Sequence, residues 1–191
     1  MLFLYNAILQ FTYGDIGGLN WVSVLIIAFV TVQRGAEILW ARRNTKLLLA
    51  DGAFEVAGEH YPAMVGVHAA WLLSLWLLAP TREANLPLLA IFALLQFGRL
   101  WVLATLGRRW TTRIIVVPGT PLVKSGPYSF VRHPNYCIVT GEIFVLPLVF
   151  DLKWIAFAFT ILNAIVLWIR IRRENAALDG GIRSSMGNGH A

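Results

Sequence analysis

Long apolar stretches separated by short polar segments dominate the chain. A helix of about 20 apolar residues crosses a hydrocarbon core of ~30 Å, because it satisfies its own backbone polar groups where no water can reach them. The fourth such stretch here is short, and a turn at residues 150–153 separates it from the fifth, so these two are predicted to form a helical hairpin. The pattern predicts an all-α, polytopic membrane protein with about five spans, over residues 19–40, 61–79, 86–106, 136–150 and 152–169.

The composition supports this class, since 58% of the 191 residues are hydrophobic and only 14% are charged, against roughly 25% charged in a soluble domain. Basic residues concentrate on one side of the predicted spans, and short loops rich in Lys and Arg are retained in the cytoplasm. Arg82 and Lys153 lie on the opposite side. The N terminus is therefore predicted outside and the C terminus inside. The basic residues of the predicted cytoplasmic side are Arg42, Arg43, Lys46, Arg108, Arg109, Arg113, Lys124, Arg132, Arg170, Arg172, Arg173 and Arg183.

The net charge of +6 is accounted for by this topology and by anionic lipid, so nucleic acid is not an expected partner. Cys137 is the single cysteine and the four histidines lack a ligand spacing, so no metal site is expected. Residues 1–13 are apolar but too short to span, and are predicted to lie at the interface or insert partly. Residues 1–178 are predicted to form one domain and residues 179–191 a disordered tail; the oligomeric state stays open.

The connection between the third and fourth spans, residues 107–134, is long and contains enough apolar residues to fold as an ordered cytosolic lobe. It ends in Arg132-His133-Pro134. The residue before a proline is extended and proline suits the first helical position, so Pro134 is predicted to begin the fourth helix. That helix N-terminus would offer N–H groups to an anion, with Arg132 beside it. A plain turn flanked by interfacial residues explains the same spacing.

A second polar cluster ends the fifth span. Arg170 and Glu174 are four residues apart and share a helix face. A basic membrane flank with a surface ion pair is the alternative interpretation. Because the fifth helix returns to the side where the fourth begins, we expect the two clusters to meet.

Polar residues inside the spans form a third group. Ionisable groups at membrane depth cost several kcal/mol unless they are paired or wet, so each marks a possible cavity. Arg34, Glu37 and Arg99 can alternatively extend their polar ends to the interface, and a hydrogen-bonded core position suits His68. The full group is Arg34, Glu37, His68, Gln96, Arg99 and Glu142.

At these motifs the sequence resembles the isoprenylcysteine carboxyl methyltransferase family and its bacterial relatives, over roughly residues 100–178. Asn175 stands where the family usually carries a second acid. Residues 60–62, ahead of the second span, resemble the bacterial branch. The motifs that carry the resemblance are Leu106-Gly107 with Trp110, Leu122-Val123, Gly126-Pro127-Tyr128, Arg132-His133-Pro134 with Tyr136, and Arg170, Glu174 and Leu178.

The resemblance implies methyl transfer from S-adenosylmethionine to an oxygen, carboxylate or phenol, of a lipophilic small-molecule or prenylated acceptor. Some bacterial members are implied to act on phenolic or pyrone lipids. Membrane lipids are the other expected partners. Arg170 and Glu174 are the implied candidates for chemistry at the acceptor. The implied cofactor pocket, within residues 100–178, consists of Leu122, Val123, Gly126, Tyr128, Arg132, His133, Pro134, Tyr136 and Glu174.

Two other functions stay open at this point. Sterol reductases, which use NADPH, resemble this family in their C-terminal half, so a membrane reductase is one alternative. A membrane scaffold or transporter is another, because polar span residues would also line a path. Binding of S-adenosylmethionine, of NADPH or of neither separates the three.

Overall fold

The protein is described by a computed structural model that covers residues 18–56, 61–121 and 123–187, with side chains described as far as Arg172. The predicted interfacial segment, residues 1–13, lies outside the described residues. The all-α class is confirmed, and each predicted span corresponds to a helix. The helices are α1 Trp21–Ala50, α2 Tyr61–Leu78, α3 Leu86–Leu106, α4 Pro134–Val149 and α5 Lys153–Gly187.

Four of these helices are long and apolar enough to cross a membrane, and α4 is a shorter apolar helix. Large apolar side chains such as Leu25, Phe29 and Leu94 point outward, each more than half exposed. A surface of this kind suits hydrocarbon and not water. The protein is therefore an integral membrane protein with a helical bundle.

The first helix continues ten residues past the predicted end of its span at residue 40. Its 30 residues give a length of roughly 45 Å at 1.5 Å per residue, well beyond a ~30 Å hydrocarbon core. The extension carries Arg42, Arg43 and Lys46, all exposed. It therefore projects from the bundle and is available to support the polar lobe.

Two backbone hydrogen bonds connect the helix ends at one end of the bundle. The amide of Asn20 donates to the carbonyl of Pro80 (2.6 Å), and the amide of Asn85 donates to the carbonyl of Val149 (2.8 Å). These bonds join the start of α1 to the end of α2, and the start of α3 to the end of α4. The predicted hairpin between α4 and α5 is confirmed, and its turn holds Asp151 at φ 55°. The helices thus alternate in direction as the sequence predicts.

Small residues let α3 and α4 approach closely. A Cβ added to Gly98 would lie 3.3 Å from Ile138, and one added to Gly141 would lie 3.1 Å from Leu95. Close backbone approach at small residues is a main source of helix association in membranes, where burial of apolar surface gives no driving force between helices. The start of α4 is therefore held firmly against the end of α3.

A small antiparallel sheet, absent from the sequence prediction, closes the polar end. Strand β1, Phe54–Val56, pairs with strand β2, Ile114–Val116. Glu55 and Arg113 reinforce the pair with a salt bridge of 2.8 Å. Asn44 on the extension of α1 donates to the carbonyl of Trp110 (2.9 Å) and also to that of Gly107 (3.1 Å). The connection between α3 and α4 is thus tied to the α1 extension through Asn44 and to the strand that follows it through the sheet.

Four charged side chains form a closed ring inside the bundle. Arg99 on α3 donates to Glu142 on α4 at 2.9 Å and to Glu37 on α1 at 2.5 Å. Arg34 on α1 closes the ring through Glu142 (2.7 Å) and Glu37 (3.3 Å). Glu142, Arg99 and Glu37 are buried, with exposed fractions of 0%, 4% and 7%, whereas the side chain of Arg34 is 17% exposed.

The ring holds two cations and two anions, so its formal charge is zero. Gln96 and Gln33 add hydrogen bonds to Glu142 (2.7 Å) and to Glu37 (3.1 Å). Charges in an apolar interior are tolerated when they are paired in this way. Glu37 and Arg99 therefore do not extend their polar ends to solvent, as the alternative interpretation allowed; they pair inside the bundle.

Breaking the ring tests its structural weight. Arg99→Met leaves Glu37 and Glu142 buried with one fewer cation, and we expect it to lower the free energy of unfolding by about 3–5 kcal/mol. Thermal unfolding of the detergent-solubilised protein measures this change. Arg108→Met is the matched control, because Arg108 and Asp51 form an exposed pair at 3.4 Å worth under about 1 kcal/mol. Equal losses of unfolding free energy in the two variants would show that the ring does not stabilise the fold more than an exposed pair does.

Candidate functional site

His133 and Pro134 occupy the positions predicted for them at the start of α4. Pro134 is the first helical residue and His133 is the residue that precedes it. The carbonyl of His133 accepts hydrogen bonds from the amides of Tyr136 (3.1 Å) and Cys137 (3.3 Å). The imidazole of His133 stacks on the ring of Tyr136, with centroids 5.1 Å apart and planes 13° apart. The Arg-His-Pro motif therefore forms a rigid corner.

Arg170 on α5 joins this corner. Its Nε donates to the hydroxyl of Tyr136 at 2.8 Å, and its Nη1 donates to the carbonyl of Thr112 at 2.9 Å. The same nitrogen lies 3.3 Å from the sulfur of Met64 on α2. Two motifs 34 residues apart in the sequence thus meet, as predicted. The half-buried guanidinium of Arg170 connects α5, α4, α2 and the lobe.

The start of α2 also borders the site, which the sequence did not predict in detail. The hydroxyl of Tyr61 lies 3.1 Å from that of Thr112, and the guanidinium of Arg113 lies over the Tyr61 ring at 4.8 Å. The aromatic position at the start of the second span was the available signal. It could not show that Thr112 lies opposite.

The Gly-Pro-Tyr motif forms a 3-10 turn, Gly126–Ser129, against the end of α3. Gly126 has φ 57°, and a Cβ there would lie 2.6 Å from the hydroxyl of Thr105. Glycine is needed at this position both for its backbone conformation and for the close approach. Tyr128 packs against a buried cluster that includes Trp110. The turn therefore packs against the bundle.

Six of the nine predicted pocket residues belong to two groups. His133, Pro134 and Tyr136 form the corner, and Val123, Gly126 and Tyr128 belong to the adjoining loop. Arg132 is exposed. Leu122 lies outside the described residues, and Glu174 and Asn175 belong to the part of α5 whose side chains are not described. The assignment of all nine residues to a cofactor pocket stays a prediction, as does the boundary between the domain and residues 179–191.

Two buried polar atoms at this end have no hydrogen-bond partner among the described residues. They are the indole Nε1 of Trp110, whose residue is 4% exposed, and the side-chain oxygen Oδ1 of Asn135. Sequence reasoning singled out neither as a binding group. Asn135 sits between two motif positions, and its inward direction depends on where α4 begins.

The surface around the corner is basic. Lys124, Arg132, Arg108 and Arg109 are all exposed here, and the α4 N-terminus adds the positive end of a helix dipole. The arrangement combines aromatic rings, buried polar atoms and positive charge where the helices leave the membrane. It suits a polar ligand with an anionic group at the polar end of the bundle.

Fold and site together define an integral membrane protein with a polar, ordered lobe over one end of a bundle, five helices of which lie in the described residues. The model of the isoprenylcysteine carboxyl methyltransferase (ICMT) family matches residues 88–180, which run from α3 into α5. The chain belongs to this family. It is accordingly a membrane methyltransferase in general terms.

Similar proteins extend beyond the matched segment. The chain is 40% identical over 159 residues to the uncharacterized protein YpbQ of Bacillus subtilis (strain 168), covering 81% of this chain and 95% of that protein. It is 26% identical over 145 residues to an uncharacterized protein of Haemophilus influenzae (strain ATCC 51907 / DSM 11121 / KW20 / Rd), covering 71% and 83%. No solved structure gives a significant match.

Filling the space at Gly126 tests how the turn is held. Gly126→Ala should lower the free energy of unfolding by about 1–3 kcal/mol, because alanine disfavours φ 57° and its methyl group meets Thr105. Thr105→Ala in the same chain should recover part of that loss by opening the space. Thermal unfolding measures both variants.

Gly35→Ala is the matched control, since nothing lies within 4 Å of a Cβ at Gly35 on α1. That change should be neutral or stabilise the protein by up to about 1 kcal/mol. A Gly126→Ala variant as stable as Gly35→Ala would show that the turn is not docked as described.

Proposed function

We propose that the protein transfers a methyl group from S-adenosylmethionine to an oxygen of a lipophilic acceptor at the cytoplasmic membrane surface. The observation that carries the proposal is the contact of Arg170 with Tyr136, whose ring stacks on His133. It joins the two motifs that the family match covers. Members of that family depend on S-adenosylmethionine.

The residues at the corner fit this cofactor. Its carboxylate suits the α4 N-terminus and the exposed Arg132. Its sulfonium suits an aromatic face, which Tyr128 or Tyr136 offers. The unpartnered atoms of Trp110 and Asn135 suit a ligand that carries both hydrogen-bond donors and acceptors. Leu122, Val123, Gly126, Pro134 and Glu174 complete the proposed pocket, with Glu174 as a candidate for the ribose hydroxyls.

When bound, S-adenosylmethionine supplies a methyl group on a sulfonium that an oxygen nucleophile can displace in line. The protein is then required mainly to position the reactants and to balance charge. An acceptor carboxylate is already ionised at neutral pH, whereas a phenol with a pKa near 10 gains from a nearby cation or base. Arg170 and Glu174 are the proposed residues for that task.

The site lies where both reactants can arrive. The cofactor is polar, and the acceptor, a lipophilic small molecule or a prenylated group, is dissolved in membrane lipid. The basic lobe and the ends of α3, α4 and α5 meet at one end of the bundle. We place this end in the cytoplasm and the N terminus outside, because the basic residues concentrate around the lobe.

Binding measurements on the purified protein test the proposal. We expect calorimetry to detect S-adenosylmethionine and not NADPH. His133→Ala and Glu174→Ala should each weaken cofactor binding by about tenfold or more, the scale of a hydrogen bond to a charged group. Lys153→Ala, at the opposite end of the bundle, is the control and should bind like the parent protein.

Other outcomes are equally informative. Binding of NADPH alone would support a reductase, and binding of neither would favour a scaffold or transporter. Parental affinity in both His133→Ala and Glu174→Ala would refute the placement of the pocket. Melting temperatures of the variants show whether a loss of binding reflects unfolding.

The sulfonium charge gives a second test. Tyr128→Leu or Tyr136→Leu should reduce the preference for S-adenosylmethionine over its uncharged demethylated product, since a cation over an aromatic face gains about 0.5–2 kcal/mol. The ratio of the two affinities, measured in each variant, is insensitive to general loosening of the pocket. An unchanged ratio in both would mean that these rings only anchor the protein at the interface.

A further inference from the structure

Building on the proposed function, we propose that Trp110 and Asn135 recognise the adenine base of the cofactor. The indole N–H of Trp110 would donate to a ring nitrogen of the base. The side-chain oxygen of Asn135 would accept from its exocyclic amino group. Neither residue belongs to the pocket that the sequence motifs imply.

Trp110 provides a buried donor without an acceptor. The residue is 4% exposed, and its Nε1 has no partner among the described residues. Its indole ring packs in the cluster with Ala41, Val102 and Leu103. The backbone carbonyl of Trp110 accepts a hydrogen bond from Asn44 at 2.9 Å, so the residue is held in place on two sides. Buried donors left unpaired are rare and destabilising in folded proteins. A ligand acceptor would satisfy this one.

Asn135 provides the complementary acceptor. It lies four residues before Val139 and seven before Glu142, both fully or almost fully buried, so the three share the inner stripe of α4. Its Oδ1 is buried and has no partner among the described residues. An acceptor of this kind calls for an N–H or O–H group, and a carboxylate could not supply one.

Ile138 and Tyr128 provide the packing that links the two residues. Asn135 is one helical turn before Ile138 and therefore neighbours it on the α4 surface. Ile138 and Tyr128 pack against the cluster that contains Trp110. The residues that link them are thus apolar or aromatic, and the pair offers one donor and one acceptor. Adenine is a flat, neutral ring system whose edge presents an amino donor beside a nitrogen acceptor, and it matches this chemistry.

The location separates this pair from the other unpartnered atoms of the described residues. Those belong to Gln33 and Arg34 on α1, to Gln96 on α3, and to Thr160 and Asn163 on α5, all within the apolar part of the bundle. Trp110 and Asn135 instead lie beside the Gly-Pro-Tyr turn and the Arg-His-Pro corner. A polar cofactor from the cytoplasm would reach this end of the molecule first.

The experiment compares two bases in one protein. The full chain in detergent or nanodiscs is titrated with S-adenosylhomocysteine and with its purine-riboside analogue, in which hydrogen replaces the amino group and every ring nitrogen stays an acceptor. We expect the parent protein to prefer the adenosyl compound by about tenfold or more, the scale of one buried hydrogen bond. Asn135→Ala should bind the two compounds within about threefold of each other. Because the readout is a ratio within one variant, loosening of the fold does not imitate it.

Trp110→Phe keeps an aromatic ring and removes the donor. It should weaken S-adenosylhomocysteine binding by about tenfold. Deaza analogues, each with one ring nitrogen replaced by carbon, identify the acceptor. One of these analogues should bind the parent protein more weakly than S-adenosylhomocysteine does. The same analogue and S-adenosylhomocysteine should bind the Trp110→Phe variant with equal affinity.

Two controls retain the parental preference if the assignment is right. Trp154→Phe changes an indole that is 87% exposed at the opposite end of the bundle. Asn163→Ala removes a buried, unpartnered side-chain oxygen within the span of α5.

A parent protein that binds neither compound overturns the proposed function itself. A parent protein that binds without preferring adenine, or an Asn135→Ala variant that keeps the parental preference, overturns the adenine assignment and leaves the proposed function standing. In that case ordered water satisfies the two atoms.

Discussion

The ring of Arg34, Glu37, Arg99 and Glu142 is the constraint on which the rest of the structure depends. Charges in an apolar interior must find each other, and here the partners come from α1, α3 and α4. Glu142 lies eight residues past Pro134, roughly 12 Å along the helix. Fixing Glu142 therefore fixes both the rotation and the depth of α4. The orientation of the Arg-His-Pro corner therefore depends on a pairing inside the bundle.

A small number of specific contacts also holds the lobe in place. The extension of α1 presents Asn44 to the carbonyls of Gly107 and Trp110, and β1 pairs with β2 just beyond it. Gly126 brings the second half of the connection against α3. Each half of this long connection is thus held by a different part of the bundle. The corner at the end of the connection can therefore stay in contact with Arg170 on α5.

Hydropathy and motif order predicted the five helices, the hairpin and the meeting of Arg170 with the α4 corner, because apolar length and chain direction decide these features. The ring was not predicted, since pairing depends on which side chains of different helices face each other at one depth. The sequence left Arg99 free to reach the interface, and only packing shows that it cannot. The sheet escaped prediction because each strand has three residues, too few for a pattern. Trp110 and Asn135 became candidates only through buried atoms without partners.

The candidate site is a property of the whole bundle and not of the segment that the family match covers. Tyr136, Thr112 and Arg170 fall within residues 88–180, yet Arg170 also contacts Met64 on α2. The ring shows the same division, with Arg99 and Glu142 inside the matched segment and Arg34 and Glu37 outside it. An isolated matched segment would keep the Arg99–Glu142 pair but lose the bonds of both residues to Arg34 and Glu37. The first two helices therefore complete the ring and supply the Met64 contact of Arg170.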